Sequence, residues 1–318
     1  MTGVQTCALP ICKWGVRKRG QETWALPPQY LDIAFLDAGG DGLWKVRPDT
    51  ATADGWRIVD WQGAPLPGLG GAYDRVEVAG QNYLAVQEER RASNWSVRDL
   101  AGREVLLLGA EADVRPLNRH LFGYKEKDSP GYTVLVMRDP VTPLVDKFDH
   151  LEAVGGDLVF YRRGDEAGFI QPNGSLLPIE GAAAPAGAEG PLLRMKGRSE
   201  ADQPPRWGLY STQAQRLLLP FTYDSIASFT GPFARVFQDG KVGLINDAGD
   251  LIAPPRFEAI PYLATGMEAV YAYWRDSVQI FPVDPDGRPA GAAAVERVTG
   301  ITGPERYEWI DYNSAAPE

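Results

Sequence analysis

A sequence that repeats itself constrains its fold more than any composition does, because the solution found for one unit must serve all of them. The stretch RWGLYSTQAQRLLLPFTYDSIASF, which begins at Arg206, returns 35 residues later as KVGLINDAGDLIAPPRFEAIPYL from Lys241. The opening KWGVRKRGQETWALPPQYLDIAFL from Lys13 has the same form. Weaker copies start at Gly55, Asn94, Gly131, Glu166 and Ser277, which makes eight copies with starts 35 to 42 residues apart. Each reads as short β-rich segments separated by turn residues. Gly beside Asn or Asp at 246–250, 172–175 and 284–288 supplies the positive φ that hairpin turns need. The pairs Pro27-Pro28 and Pro254-Pro255 are expected to end a strand, because proline cannot donate to a ladder. Four strands per unit follow, typified by the segments YDSI, ARVF, KVGLI and LIAPP. No stretch keeps a helical period for a useful length.

A unit of this size cannot bury its own apolar face and must stack on its neighbours. The expected fold is therefore an all-β repeat protein of about eight four-stranded units, β-propeller-like, with a β-solenoid or open array of hairpins as the alternative. The chain opens with what read as the last two strands of a unit, 13–28. It closes with VERVTGITG and RYEWIDY, which read as the first two strands of one. Together these would complete a unit and close a ring. The segment GAAAPAGAEG, 181–190, is expected to be a flexible loop in place of its unit's first strand.

The pairs Trp14-Gly15 and Trp207-Gly208, the Gly-containing turn, the apolar run with Pro, and the following Tyr-x-x-Ile or Tyr-Asp-x-Ile resemble the bacterial WG-repeat family. Elsewhere the Trp gives way to Tyr132, Ala167 and Val242, and the Gly to Arg57, Ser96 and Thr133. The resemblance implies a single WG-repeat β domain over 13–318 and a setting in the bacterial periplasm or cell envelope. It implies no particular activity. The front of the chain carries a different resemblance. Thr2 to Ile11 reads, residue for residue, as the translation of a common short-read sequencing adapter, with Cys12 at the junction. On that reading 1–12 is an artefactual adapter-derived segment, the natural N-terminus is missing, and Cys7 and Cys12 are not native. No disulfide framework, CxxC metal site or thiol nucleophile then remains.

The formal net charge of −10 argues against a nucleic-acid partner, which is bound by neutralising phosphates. No apolar run approaches the length of a membrane-spanning helix. Repetition also separates packing from chemistry. Trp14, Trp56, Trp95 and Trp207 share one place in their units, with Gly15, Gly208 and Gly243 in the place after it, and both positions read as structural. Asp32, Asp74, Asp149, Asp224 and Glu258 recur beside an aromatic and read as turn caps or ladder bonds. The Asp-rich turns lack the full ligand series of a calcium loop. His120 and His150, the two histidines, stand outside any zinc motif. No nucleophile elbow or phosphate loop is present. The aromatics outside the shared place are the candidate ligand or partner contacts: Trp44, Trp61, Tyr271, Tyr273, Trp274 and Trp309, since such rings serve as platforms for sugars or as hot spots for proteins. Filling gaps between units is their alternative role, and Trp24 belongs with them. The expectation is a non-catalytic scaffold for protein–protein binding, without enzyme activity, metal or cofactor. A carbohydrate or cell-wall binding module built on the exposed aromatics is the alternative.

Overall fold

The computed structural model describes residues 2–8, 11–17, 22–40, 42–49, 55–88, 93–155, 157–200, 202–275 and 277–297. Among them every element is a strand, and the strands form seven antiparallel sheets in which sequence neighbours pair. The first sheet holds β1 (Thr2–Ala8), β2 (Ile11–Arg17), β3 (Trp24–Leu36), β4 (Leu43–Pro48) and β5 (Arg57–Val59). The second holds β6 (Tyr73–Val78), β7 (Tyr83–Glu88), β8 (Trp95–Asp99) and β9 (Glu104–Leu108). The third holds β10 (Asp113–Pro116), β11 (Leu121–Lys125), β12 (Thr133–Val136) and β13 (Thr142–Pro143). The fourth holds β14 (His150–Gly155), β15 (Leu158–Arg163), β16 (Glu166–Ile170) and β17 (Leu176–Pro178). The fifth comprises β18 (Ala182–Glu189), β19 (Leu192–Gly197), β20 (Arg206–Ser211) and β21 (Arg216–Tyr223). The sixth comprises β22 (Ser225–Ile226), β23 (Phe233–Gln238), β24 (Lys241–Asn246) and β25 (Leu251–Phe257). The seventh comprises β26 (Ala269–Trp274), β27 (Ser277–Pro282) and β28 (Ala294–Arg297). The chain divides into two compact units, Met1–Glu180 with the first four sheets and Gly181–Glu318 with the rest.

All eight sequence copies begin with a strand: β2, β5, β8, β12, β16, β20, β24 and β27. They give seven sheets because β3 runs unbroken from the closing strand of one copy into the opening strand of the next. The inner strands bury apolar residues at successive positions, because both faces are covered. In β7, Leu84 and Val86 pack with the first sheet while Tyr83 and Ala85 pack with the third. In β12, Val134 and Val136 meet the fourth sheet and Leu135 the second. In β23, Ala234 and Val236 meet the fifth sheet and Phe233 the seventh. Successive side chains of a strand point to opposite faces, so one strand feeds two cores. Each buried Val or Leu contributes about 1.5–3 kcal/mol.

Three local devices recur. The turn after the opening strand of a copy, in DWQGA, DLAGR, NDAGD and DPDGR, is closed by its own first side chain. Asp60, Asp99, Asn246 and Asp284 each accept two backbone N–H bonds through Oδ1, at 2.7–3.1 Å. The glycines at 63, 102, 249 and 287 take φ of 78–87°, which a side chain would resist. These are hairpin turns, as their composition indicates.

The second device explains the Trp-Gly pair. A Cβ on Gly15, Gly208 or Gly243 would stand 2.7–2.9 Å from the carbonyl oxygen of Leu26, Leu219 or Ala253. In all three places the pairing register slips, because the partner strand carries extra residues. The prolines lie in those slips. Pro27-Pro28 and Pro254-Pro255 do not end their strands: they sit inside β3 and β25, in bulges where a missing N–H is tolerated.

The third device hands the chain from sheet to sheet. The aromatic of the YD motif pairs back onto the Trp position of the sheet it leaves: Trp14 with Tyr30, Trp56 with Tyr73, Tyr132 with Phe148, Trp207 with Tyr223, Val242 with Phe257. The next residue, acidic, binds forward. Asp149 accepts the N–H of Gly164 at 2.7 Å, Asp224 that of Asp239 at 2.6 Å, and Glu258 that of Arg275 at 3.2 Å. Those three acceptors cap residues with φ of 51–57°. Three of the five recurring acids, Asp149, Asp224 and Glu258, are thus turn caps, as their repetition suggests.

Two expectations about the ends of units are corrected. Residues 182–189 are not a loop but the strand β18, paired along β19 with two register irregularities. Small side chains there neither favour nor forbid a strand, and the apolar neighbour Leu192–Gly197 supplies the template. Ala294–Arg297 does not open a further unit: as β28 it pairs with β27 and completes the seventh sheet. The remainder of the terminal pair, with Trp309 and Tyr307, lies outside the described residues. At the front, Thr2–Ala8 pairs with β2, from Thr2–Arg17 to Ala8–Ile11.

Candidate functional site

The unit Met1–Glu180 contains a cavity of about 340 Å3 lined by Lys45, Trp56, Trp95, the run Asp74–Glu77 and the run Ala112–Val114. Its position follows from the repeat. The hand-over brings the Trp position of one sheet beside the first strand of the next, and this happens twice here, with Trp56 at β6 and Trp95 near β10.

Each lining group is fixed by a neighbour or left open. Lys45 reaches from β4 to the carbonyl of Val76 at 3.0 Å. Arg194 does the same to Ile226 at 3.2 Å and Arg235 to Ile260 at 2.8 Å, so this cation is a recurrent tie between sheets. Lys45 Nζ also lies 5.2 Å from the centre of the Trp56 ring, with Arg47 Cζ at 5.0 Å. That ring is therefore already engaged by two cations. Asp113 accepts from the Tyr132 hydroxyl and lies 3.4 Å from Arg115, whose guanidinium covers the Tyr132 ring at 4.4 Å. Burial, and then that hydrogen bond, push the Tyr132 phenol above its ordinary value, so it stays a donor. Trp95 is 1% exposed, and its Nε1–H has no acceptor among the described residues. Asp74, Arg75 and Glu77 are in no ion pair among the described residues. Asp74, unlike Asp149, Asp224 and Glu258, lines the cavity.

The residues singled out in the sequence fall elsewhere or in other roles. Trp44 is not a surface contact: it is 8% exposed, packed with Val46 and Val59 and edge-on to Phe35 at 5.1 Å, because its place on the inner strand β4 faces the core. Trp61, Tyr271 and Trp274 are exposed at 46%, 46% and 44%, Tyr273 is half-buried, and Trp309 is outside the described residues. Tyr271 and Tyr273 share one face of β26 and Trp274 points from the other, so the three form no single platform. Of the shared tryptophans only Trp95 is fully buried; Trp14, Trp56 and Trp207 are half-buried, and Lys196 covers the Trp207 ring at 5.3 Å. His120 and His150 each approach one carboxylate, Asp157 at 3.7 Å and Glu152 at 3.5 Å. Among the described residues no group of three or more His, Cys, Asp or Glu is placed to hold a metal ion, and no helix is long and apolar enough to cross a membrane. Sequence reasoning passed over Lys45, Glu77 and Asp113. The signal for Asp74 and Trp95 was read as repetition alone.

Comparison with solved structures gives likeness at low identity. A prolyl endopeptidase from a study of inter-domain dynamics in catalysis and specificity aligns at 12% identity and a TM-score of 0.35, over 84% of this chain and 50% of that one. The chain thus spans half the length of that protein. Kluyveromyces lactis Hsv2 aligns at 12% identity and 0.33, over 84% and 98%, and a eukaryotic initiation factor at 12% and 0.31, over 93% and 96%. No match is found among curated proteins. The family model described as WG containing repeat matches residues 207–241. That span takes in the last two strands of the fifth sheet and the first two of the sixth, so a unit of sequence straddles two sheets. The Trp-Gly pair, the bulge and the hand-over acid Asp224 all fall within the segment 207–241 that matches the WG containing repeat.

Proposed function

We propose that the protein is a non-catalytic repeat scaffold whose recognition site for a protein partner is the cavity between Trp56, Trp95 and β6. The observation that carries this reading is that Asp74, Arg75 and Glu77 line one cavity and enter no ion pair among the described residues. The cavity volume is at the small end of ligand sites. In the test, the full chain and a Val114→Trp variant, which fills the cavity, serve as bait in cell extract. The expected outcome is a partner lost with Val114→Trp and kept with Leu107→Ala, an exposed position on β9. Capture indifferent to Val114→Trp would remove the cavity from the function. The envelope setting implied by the family resemblance is part of the proposal and is checked by fractionation of cells expressing the native gene.

A second reading, carbohydrate or cell-wall binding, is favoured by the exposure of Trp61, Tyr271 and Trp274. Sedimentation with peptidoglycan, reduced by Trp274→Ala, is the outcome that would support it.

A further inference from the structure

We propose that β9 is a docking edge for a second copy of this chain, the two β9 strands pairing antiparallel about a two-fold axis through Leu107. The proposal is independent of the cavity. The end strand of a sheet offers unpaired N–H and C=O groups to another chain, and folds usually blunt it. Here the end strands β13, β17, β21 and β25 carry Pro143, Pro178, Pro220 and the pair Pro254-Pro255, each a missing donor. The edge of β5 meets Pro65 through a bridge from Val59, and β28 ends on Glu296-Arg297. β9, with the sequence EVLLL, has no proline, and its one charge is at the first residue. It ends its sheet, and among the described residues no further strand pairs with it. Val105 and Leu106 pack on the core and Leu108 is buried, but Leu107 is 54% exposed. The Asp99 N–H points at the Arg103 carbonyl, so alternation directs the backbone of Val97 and Trp95 at their partners Leu106 and Leu108. The N–H and C=O of Leu107 therefore turn to the free edge.

Charge names the occupant. Arg103 and Glu111 stand four positions before and four after Leu107, both with exposed side chains. Each has a surface partner in its own chain, Asp99 at 3.0 Å and Lys127 at 2.7 Å, and exposed pairs of this kind are weak enough to be shared or exchanged. Antiparallel pairing about Leu107 sets Arg103 of each copy opposite Glu111 of the other and Leu107 against Leu107, so the edge is complementary to itself. A five-residue edge buries far less than a standard interface, so the dimer is expected to be weak and to depend on concentration.

The test is sedimentation equilibrium of the full chain over about a hundredfold range of concentration. The expected result is a monomer–dimer equilibrium. Leu107→Pro removes the outward donor while sparing the bonds to β8, and is expected to weaken the dimer about tenfold or more. Arg103→Glu is expected to weaken it about threefold or more, since the pair occurs twice, and Arg103→Glu with Glu111→Arg to restore it to within about twofold. Circular dichroism melts check that the variants fold; should Leu107→Pro melt early, the charge exchange and a cross-link decide. A bismaleimide is expected to join two copies of Leu107→Cys, and not of Val145→Cys at an exposed position elsewhere, in a chain carrying Cys7→Ser and Cys12→Ser. A chain that stays monomeric throughout would overturn the proposal. So would a dimer that a folded Leu107→Pro leaves intact, one that the charge exchange does not restore, or one that the reagent joins equally well at Val145→Cys.

Discussion

Trp95 and Trp207 occupy the same place in the repeat and differ in burial, and that difference sets the cost of replacing each. Trp95→Ala is expected to cost about 3–5 kcal/mol. Trp207→Ala, removing a half-buried ring that Lys196 covers, is expected to cost about 1–2 kcal/mol. Denaturant unfolding of the two variants checks the ranking, and equal losses would contradict it. Recurrence of Trp in the sequence shows that the place matters but not how deep it lies, because depth depends on the next sheet. The same holds for Asp74. Three of its siblings, Asp149, Asp224 and Glu258, cap a left-handed turn residue, and only the fold shows that this copy borders a cavity. Trp44 was misjudged because it falls off the repeat, yet it sits on an inner strand where both faces are covered.

At the scale of elements, the Gly of the Trp-Gly pair and the acid of the hand-over are the positions that set geometry. Gly243→Ala forces a Cβ against the Ala253 carbonyl and the Pro255 nitrogen, both at 2.7 Å, and is expected to cost about 1–3 kcal/mol. Proteolysis of the β24–β25 region under native conditions should rise with it. Two carboxylates give the acid limb of stability. The backbone N–H of Arg103 holds Asp99 below its ordinary value, and the Tyr161 hydroxyl, followed by Arg163, does so for Glu166. A folded-state value below the unfolded one gives stability that is complete above the ordinary carboxylate range and is lost as pH falls through the folded value. The melting temperature is therefore expected to hold from neutrality to about pH 5 and to fall below it. Asp99→Asn should lower the neutral plateau and flatten the acid slope; an unchanged slope would contradict the assignment. The turns were legible because Asp or Asn followed by Gly states its own conformation. The bulges were not: a Pro pair reads as a stop unless the glycine across the ladder is known to admit it.

For the whole molecule, the order of strands was legible and the phase of the sheets was not. Four segments per copy became four strands in the copies from Asn94, Gly131, Glu166 and Arg206, but nothing local says whether a sheet begins at the Trp or at the YD pair. The acidic–aromatic cavity was hidden for the same reason, since its walls come from the Trp position of one sheet and the first strand of the next. Phase has a direct test. A chain cut between Glu180 and Gly181 leaves whole sheets on either side, whereas a cut between Arg206 and Trp207 follows the family unit and splits the fifth sheet. Each half from the first cut is expected to give a β-type circular dichroism spectrum and a cooperative melt, and the second cut is expected to abolish cooperativity in the shorter piece.

The straddling unit also bears on how such chains change length in a genome. Misaligned crossing-over between two copies adds or removes one block of 35–42 residues wherever within the copies the exchange occurs. Because the copies from Asn94, Gly131, Glu166 and Arg206 each give two strands to one sheet and two to the next, an exchange among them keeps a full complement of strands at the junction. Copy number can drift by whole steps, while each new junction joins a hand-over acid from one lineage to a turn from another.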